Sequence, residues 1–444
     1  MSLDKILNIL VIGSGAREHS IGWKLSFSPR CGKLYFLPGN AGTAALGTNI
    51  VTDVAPSPEN TAALARKLDI GLVIVGPEGP LAEGVVDVLR EADIPVAGPT
   101  KHGARLETSK TFAKDFMREA GIPTASYHTF DDYVRALVHV RFKRRPLYIK
   151  ANGLAGGKGA FPCHTAKEAE DILKRLMQKR ELGEAGAQVV IEEFLEGPEI
   201  SVHAFCDGLD IEMAPATQDH KRLLSDGQLR SDGTNPNTGG MGAYGPVPWV
   251  SEAELLNIER TIVEPVMNHL AQRNGDWYTG ILYPGLMMTS EGPKVLEFNV
   301  RGGDPEMQVL MRLLKSDAVD LFEMVALGRF GERSVEWHKD RFVLCVTLAA
   351  SGYPEKPRTG DVIDGIREAE SGPNVRVFHA GTRREAGRLL TNGGRVLSVT
   401  ATGPTLEHAL AQAYRAVEHI HFEGMQFRPD IGRQALARES APAA

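Results

Sequence analysis

The stretch from Val295 to Glu306, VLEFNVRGGDPE, carries the densest chemistry in the chain. Taken as a strand it alternates: Leu296, Phe298 and Val300 face a core, while Val295, Glu297, Asn299 and Arg301 face the other way. Glu297 and Asn299 then project a carboxylate and an amide oxygen into one space. Such hard oxygens suit Mg²⁺, which takes one or two protein ligands and completes its shell with phosphates and water. Arg301 adds a fixed guanidinium for a carboxylate or phosphate. Gly302-Gly303 permits a tight turn. Asp304-Pro305-Glu306 reads as a helix start, with Asp304 as N-cap and Pro305 at N1, and helix starts favour anions. By itself this stretch is accounted for equally well by an edge strand with a solvated polar face, so the remaining elements decide.

Those elements begin with an apolar run at 5–12, expected of a strand buried on both faces of a parallel sheet, then Gly13-Ser14-Gly15 and a helix from about Arg17 to Leu25. A dinucleotide fingerprint needs a third glycine where Glu18 stands, which weakens an NAD reading. A phosphate near the helix N-terminus, with Arg17 and His19 beside it, remains the expectation. Strands at 33–37, 70–75 and 94–97, with a helix at 81–92, also open into glycine- and proline-rich loops, among them PGNAG with Asn40. In an open α/β sheet such loops share one edge, where ligands bind. An amphipathic helix at 108–120 contains Lys110, and a strand at 147–151 ends near Lys150. Residues 152–159, NGLAGGKG, make a flap whose backbone donors can close over phosphates, although the order of a Walker A loop is absent.

A helix at 165–180, a strand at 188–191, the acidic hinge at 192–197 and a strand at 199–205 follow, then Asp219-His220-Lys221-Arg222 and a glycine-rich loop at 235–246. A helix at 251–272 leads to strands at 279–288 and 293–300. Beyond Phe330, strands near 342–349, 375–380 and 395–402 and a helix at 406–419 indicate a small α+β domain without chemistry of its own.

The 444 residues are 42% hydrophobic and 24% charged, the profile of a globular chain of several domains. A net charge of −6 gives no pull toward nucleic acid. Four scattered cysteines without a CxxC pair, and no signal peptide or long apolar run, lead to the expectation of a cytoplasmic protein with no zinc site, disulfide or membrane contact.

Together these motifs resemble the ATP-grasp superfamily and, within it, the phosphoribosylamine–glycine ligase family. The likeness rests on VIGSGAREH (11–19), PGNAG (38–42), VGPEGPL (75–81), SKTFAKDFM (109–117), IKANGLAGGKG (149–159), IEEFLEGPE (191–199), TQDHKR (217–222), NTGGMGAYGP (237–246), EFNVRGGDPE (297–306), FHAGT (378–382) and TNGGRVLSVTA (391–401), in order. It implies an α/β and α+β multidomain fold: an N-terminal open parallel α/β domain at 1–106, an ATP-grasp domain at 107–334 with a mobile lid at about 125–196, and a C-terminal α+β domain at 335–428. It implies ATP-dependent ligation of glycine to 5-phosphoribosylamine through glycyl phosphate, in purine biosynthesis.

Carried over residue by residue, Lys110 and Lys150 contact ATP phosphates under the flap containing Gly153, Gly156 and Gly157. The hinge Glu192, Glu193, Phe194 and Leu195 holds adenine, and Glu199 the ribose hydroxyls. Glu297 and Asn299 hold Mg²⁺ or Mn²⁺. Arg301, Gly303, Asp304 and Glu306, with Asp219, face glycine, and Arg301, Asp219 and Lys150 are the catalytic group. Gly13, Gly15, Arg17, His19 and Asn40 take the ribose phosphate side.

This sequence departs from the family pattern at Ala16 and Asn235, where glycines are usual, and at Gly302, where an aromatic is usual. The partners expected are small molecules acting on a monomer. A carboxylase of the same superfamily acting on bicarbonate, an NAD-dependent dehydrogenase and a non-catalytic nucleotide-binding module are the competing readings.

Overall fold

The computed structural model describes residues 5–52, 57–143, 146–154, 159–231 and 233–439. Strand Leu7–Gly13 is buried along nearly its whole length and lies between Cys31–Pro38 and Ile70–Val75, all parallel, with Thr48–Asn49 and Val96–Ala97 at the edges. Because the strands run the same way, Gly13, Pro38 and Val75 end on one edge, and the loops after them meet there. The helix expected at 81–92 is two helices, Glu78–Glu83 and Val85–Glu91, since Gly84 takes φ +92° and ends the first turn. Helix Pro58–Lys67, which carried no periodic apolar signal, is set by Ser57 as N-cap and Pro58 at its first turn.

A four-stranded sheet of Tyr127–Phe130, Val189–Glu193, Leu147–Ala151 and Ala160–Cys163 packs under helices Tyr133–Phe142 and Ala166–Leu173. Helix Lys110–Glu119 begins at the Ser109 cap, which separates it from the short helix Arg105–Thr108. The continuous helix expected at 251–272 contains a π turn, Glu259–Val263, immediately before Pro265, whose missing N–H interrupts the regular ladder.

The long strand Thr279–Thr289 is the centre of the sheet that holds the site. On one side it pairs with Glu199–Ser201 and Ala204–Asp207, in one register broken opposite Pro284. On the other it pairs with Gly292–Asn299, with a bulge: Gly285 faces Glu297 but Leu286 faces Val295. The extra residue, Leu296, reverses the expected alternation. Val295, Phe298 and Val300 enter the core, and Leu296 joins Glu297 and Asn299 on the cleft side.

The last sheet also differs from expectation. Strands Phe342–Ala349, Arg395–Gly403 and Val375–His379 do not stand as a unit: Gly242–Gly245 pairs with the edge of Phe342–Ala349, and Gln218–Asp219 pairs with Gly242–Gly245 in turn. A separate hairpin, Thr382–Glu385 with Arg388–Thr391, turns through Ala386 and Gly387, both at positive φ. Among the described residues no helix is long and apolar enough to cross a membrane.

Candidate active site

The bulge at Leu296 creates the first feature of the site. Its carbonyl accepts from Lys150 Nζ at 2.7 Å, so the lysine is drawn over the strand that carries Glu297. Lys150 is buried and also pairs with Glu192 at 3.0 Å, and Glu192 pairs on its other side with Lys114 at 3.1 Å. The Glu192 side chain is therefore turned inward beneath the hinge. Burial pulls Lys114 down to about 8, against the opposing pull of Glu192. Beyond Glu193, which binds Ser126 through both main chain and carboxylate, the backbone of Phe194 and Leu195 enters no hydrogen bond among the described residues. It faces a cleft of about 1080 Å³.

Glu297 stands among Lys221, Lys110, Lys150 and Arg301. Burial alone would raise its carboxyl, but these cations bring it down to about 2. Lys221 approaches Glu297 at 3.6 Å and is ion-paired with Glu199. Lys110 reaches Gly153 O at 3.4 Å, and its backbone N–H donates to Asn152 O, so the start of the flap is tied to the helix bearing Lys110. Gly156 and Gly157 lie outside the described residues. An ionised Glu297 beside the Asn299 amide oxygen fits a hard divalent cation. The described residues contain no cluster of three or more His, Cys, Asp or Glu that could hold one alone, so the donor set suits a cation shared with phosphates.

At the far end of the same strand, Arg301 is fixed on two sides. Its Nη2 donates to Glu107 at 2.7 Å and to Asn299 Oδ1 at 3.1 Å, and its Nε lies 3.3 Å from Glu78. These carboxylates hold the guanidinium above its already high range against the opposing effect of burial. The helix after the turn starts at Glu306, with Pro305 as N-cap in place of the expected Asp304. Asp304 is instead paired with Arg395 at 3.3 Å and accepts from Gln308 at 2.7 Å. Glu306 is buried and accepts from Tyr283 OH at 2.6 Å and Ser201 Oγ at 3.0 Å. Asp219 lies near it, and burial with the Glu306 charge pushes the Asp219 carboxyl well up. Gly240 is required here: at φ +111° an added Cβ would come within 2.8 Å of Asp219 Oδ1. Gly303 donates to His203 Nε2 at 3.0 Å, and burial holds His203 neutral, at about 3.

The N-terminal loop reaches the same cleft, and Glu18, Arg17, His19 and Asn40 in and beside it bond to protein partners. Glu18 Oε2 accepts from Gly15 N at 2.5 Å, and Oε1 accepts from Arg17 Nε at 2.5 Å. The carboxylate fills the cradle under Gly13, where an added Cβ would stand 2.5 Å from Glu18 Cδ. Arg17 donates onward to Gly302 O at 2.9 Å. His19 Nδ1 accepts from His379 N at 2.8 Å, and burial holds the ring neutral, at about 3. Asn40 donates to Ser14 O and His379 O and accepts from the amides of Gly42 and Thr43. Gly13, Gly15, Arg17 and Glu18 form the wall of the cleft, and His19 and Asn40 behind them dock the FHAGT loop.

The departures from the family pattern are also accommodated. Ala16 packs on Phe378 and Ala380, Asn235 bridges both backbone groups of Leu224, and Gly302 sits so close to Met307 that an added Cβ would lie 2.4 Å from its Cγ.

Sequence reasoning missed Glu107, Glu78, Lys221, Lys114, Tyr283, Ser201 and Arg395. Glu78, Lys114, Lys221 and Arg395 lie inside motifs that carry the family likeness but have no role there, and Glu107, Ser201 and Tyr283 lie outside those motifs.

Family models for phosphoribosylglycinamide synthetase match the chain in three parts: the N domain at 7–107, the ATP-grasp (A) domain at 108–307 and the C domain at 343–434. A phosphoribosylamine–glycine ligase of Ralstonia nicotianae is 44% identical over 434 residues, covering 97% of this chain and 100% of that protein. The crystal structure of the phosphoribosylamine–glycine ligase of Thermotoga maritima superposes with a TM-score of 0.80 at 33% identity, covering 96% of this chain and 100% of that one. The biotin carboxylase domain of a Hydrogenobacter thermophilus 2-oxoglutarate carboxylase shares the fold, with a TM-score of 0.73 at 16% identity and coverage of 95% and 92%. Matched in all three parts and along nearly its whole length, the chain belongs to the phosphoribosylglycinamide synthetase family, the ATP-grasp phosphoribosylamine–glycine ligases.

Proposed function

We propose that this cleft carries out its family's ligation in the cytoplasm: glycine and 5-phosphoribosylamine are joined as ATP becomes ADP and phosphate. One observation carries the assignment of roles. A single segment bears two charge fields: Glu297 among Lys110, Lys150 and Lys221, and then Arg301 followed by Glu306 near Asp219. The first suits a polyphosphate with a divalent cation, and the second suits an amino acid zwitterion.

Lys110 and Lys150 take the phosphates of ATP, with Gly153, Gly156 and Gly157 in the flap above them. The backbone of Phe194 and Leu195, next to Glu192 and Glu193, takes adenine, and Glu199 the ribose hydroxyls. Mg²⁺ or Mn²⁺ held by Glu297 and Asn299 would supply charge neutralisation at the phosphates. Arg301 receives the glycine carboxylate, while Asp219 and Glu306 receive the ammonium, in a turn shaped by Gly303 and Asp304.

A carboxylate oxygen of glycine then attacks the γ-phosphorus, and ADP leaves. The amine of phosphoribosylamine attacks the acyl carbon of glycyl phosphate, so the C–N bond forms as the C–O bond to phosphate breaks and the amine loses its proton. The side chains position and neutralise without forming a covalent intermediate. Gly13, Gly15, Arg17, His19 and Asn40 wall the ribosyl side.

The test is ADP release with each substrate omitted in turn. The expected result is turnover only with ATP, glycine and phosphoribosylamine together, and poor use of alanine. Turnover with bicarbonate in place of an amino acid would transfer the site to a carboxylase.

A further inference from the structure

The helix after Gly15 is the obvious anion seat in the N-terminal sheet, and Glu18 already occupies it. A second anionic group would meet the Glu18 carboxylate there; Arg17 already donates to Glu18 and Gly302 O, His19 Nδ1 accepts from His379 N, and both polar atoms of the Asn40 amide are bonded to the protein. Adjoining the wall is a cavity of about 730 Å³ between the ends of the N-terminal strands and the C-terminal hairpin. It shares Ser14, Gly15, Pro38, Asp304 and Arg395 with the main cleft, so one ligand can reach both. Its lining holds three guanidiniums, of Arg383, Arg384 and Arg395, against the single carboxylate of Asp304.

Two of those cations are occupied. Arg395 is paired with Asp304, and Arg383 with Glu385 at 2.8 Å and Asn392 at 3.3 Å. Arg384 is exposed, and its side chain has no ion pair or hydrogen bond among the described residues. It stands close enough to His379 that its charge adds to burial in keeping that ring neutral, at about 4. Across the cavity the Ser14 hydroxyl is likewise exposed and uncommitted. Arg384 projects from a hairpin whose turn is closed by Ala386 and Gly387, so it is carried on an ordered ribbon.

We propose that Arg384, which lines this cavity together with Ser14, is the anchor for the phosphomonoester of the sugar substrate. The proposal rests on the ligation assigned above and moves the phosphate away from Arg17 and His19. A guanidinium offers paired donors in a planar fork that matches phosphate oxygens, and an unpaired one has no internal partner to give up on binding. The rest of the ligand then runs past Gly15 and Asp304 toward Arg301, which orients the amine end to the activated glycine.

The test has a binding arm and a kinetic arm. Without ATP, calorimetry on the intact protein compares ribose 5-phosphate, inorganic phosphate and ribose. Ribose 5-phosphate is expected to bind, with inorganic phosphate competing and ribose not. In Arg384→Ala its affinity should fall about tenfold or more, the usual weight of a charge-assisted hydrogen bond. In steady state the same variant should raise KM for phosphoribosylamine by a similar factor and leave KM for ATP and glycine within about twofold, with Arg384→Lys in between. No binding of ribose 5-phosphate by the wild type, or unchanged affinity and KM in Arg384→Ala, would overturn the anchor. If the wild type bound ribose 5-phosphate through Arg384 yet formed no ADP with glycine and phosphoribosylamine, the ligation would fail while the anion seat stood.

Discussion

Glu107 binds both the side chain of Arg301, at 2.7 Å, and the backbone N–H of Val300, at 2.8 Å. One carboxylate thus sets the height of the strand end and the aim of its guanidinium. Glu107→Gln keeps the shape and loses the charge, leaving Arg301 to the longer contact with the more exposed Glu78. A charge-assisted hydrogen bond of about 1.5–3 kcal/mol predicts a rise of about tenfold or more in KM for glycine, with KM for ATP little changed. Steady-state kinetics with each substrate varied checks it. A lowered melting temperature with an unaltered KM would make Glu107 structural only.

Glu297→Gln removes the charge that Lys110, Lys150 and Lys221 surround. Turnover at saturating Mg²⁺ should fall by about a hundredfold or more, since charge neutralisation at the phosphates carries most of this kind of catalysis. Circular dichroism should remain that of the wild type. Wild-type turnover at limiting Mg²⁺ would rule out a role at the metal.

Arg17 offers the opposite contrast. Arg17→Ala strands the buried carboxylate of Glu18 and releases Gly302 O, so the loss should be in stability, by about 3 kcal/mol. Thermal denaturation reads it. KM for phosphoribosylamine should change far less than in Arg384→Ala, and a larger rise than that variant shows would return the phosphate to the helix start.

The C-terminal segment gives a pH prediction. Burial would raise the Asp430 carboxyl, but the buried Arg428, 2.7 Å away, brings it down to about 2 from 3.8. The unfolded chain therefore binds the proton first as pH falls, so the stability from this pair is complete above about pH 4 and is lost toward pH 2. It amounts to at most about 2 kcal/mol. The stability gap between wild type and Asp430→Asn, followed by urea unfolding, should narrow across that window. A gap that stayed constant with pH would refute the linkage.

How much of this was legible in the sequence depended on the range of the cause. The parallel strand ends at Gly13, Pro38 and Val75 were readable, because apolar runs and glycine turns are local. So was the grouping of Glu297, Asn299 and Arg301, whose period-two spacing survives the structure. The bulge at Leu296 was not, since it exists only in register with Gly285 and Leu286 across the sheet. Helix boundaries failed where one residue intervened: Gly84 by its left-handed backbone, and Pro265 by its missing donor. Glu18 was read as an absent glycine. Its positive role, filling the cradle that a dinucleotide would use, needed Gly15 and Arg17 in three dimensions. Arg384 lay in a hairpin that carried too little apolar alternation to be seen.

The pairing of Gly242–Gly245 with Phe342–Ala349 has a consequence for synthesis on the ribosome. Asp219, to which the proposed function assigns the ammonium, sits on the short strand outside that pair, so its sheet is completed only once Phe342–Ala349 has been translated. A nascent chain released before Phe342 would have its lysines and hinge but an unsupported Asp219. On the proposed roles such a fragment would keep its nucleotide-side residues and lack the support of the residue assigned to glycine, so nucleotide binding would precede competence for ligation.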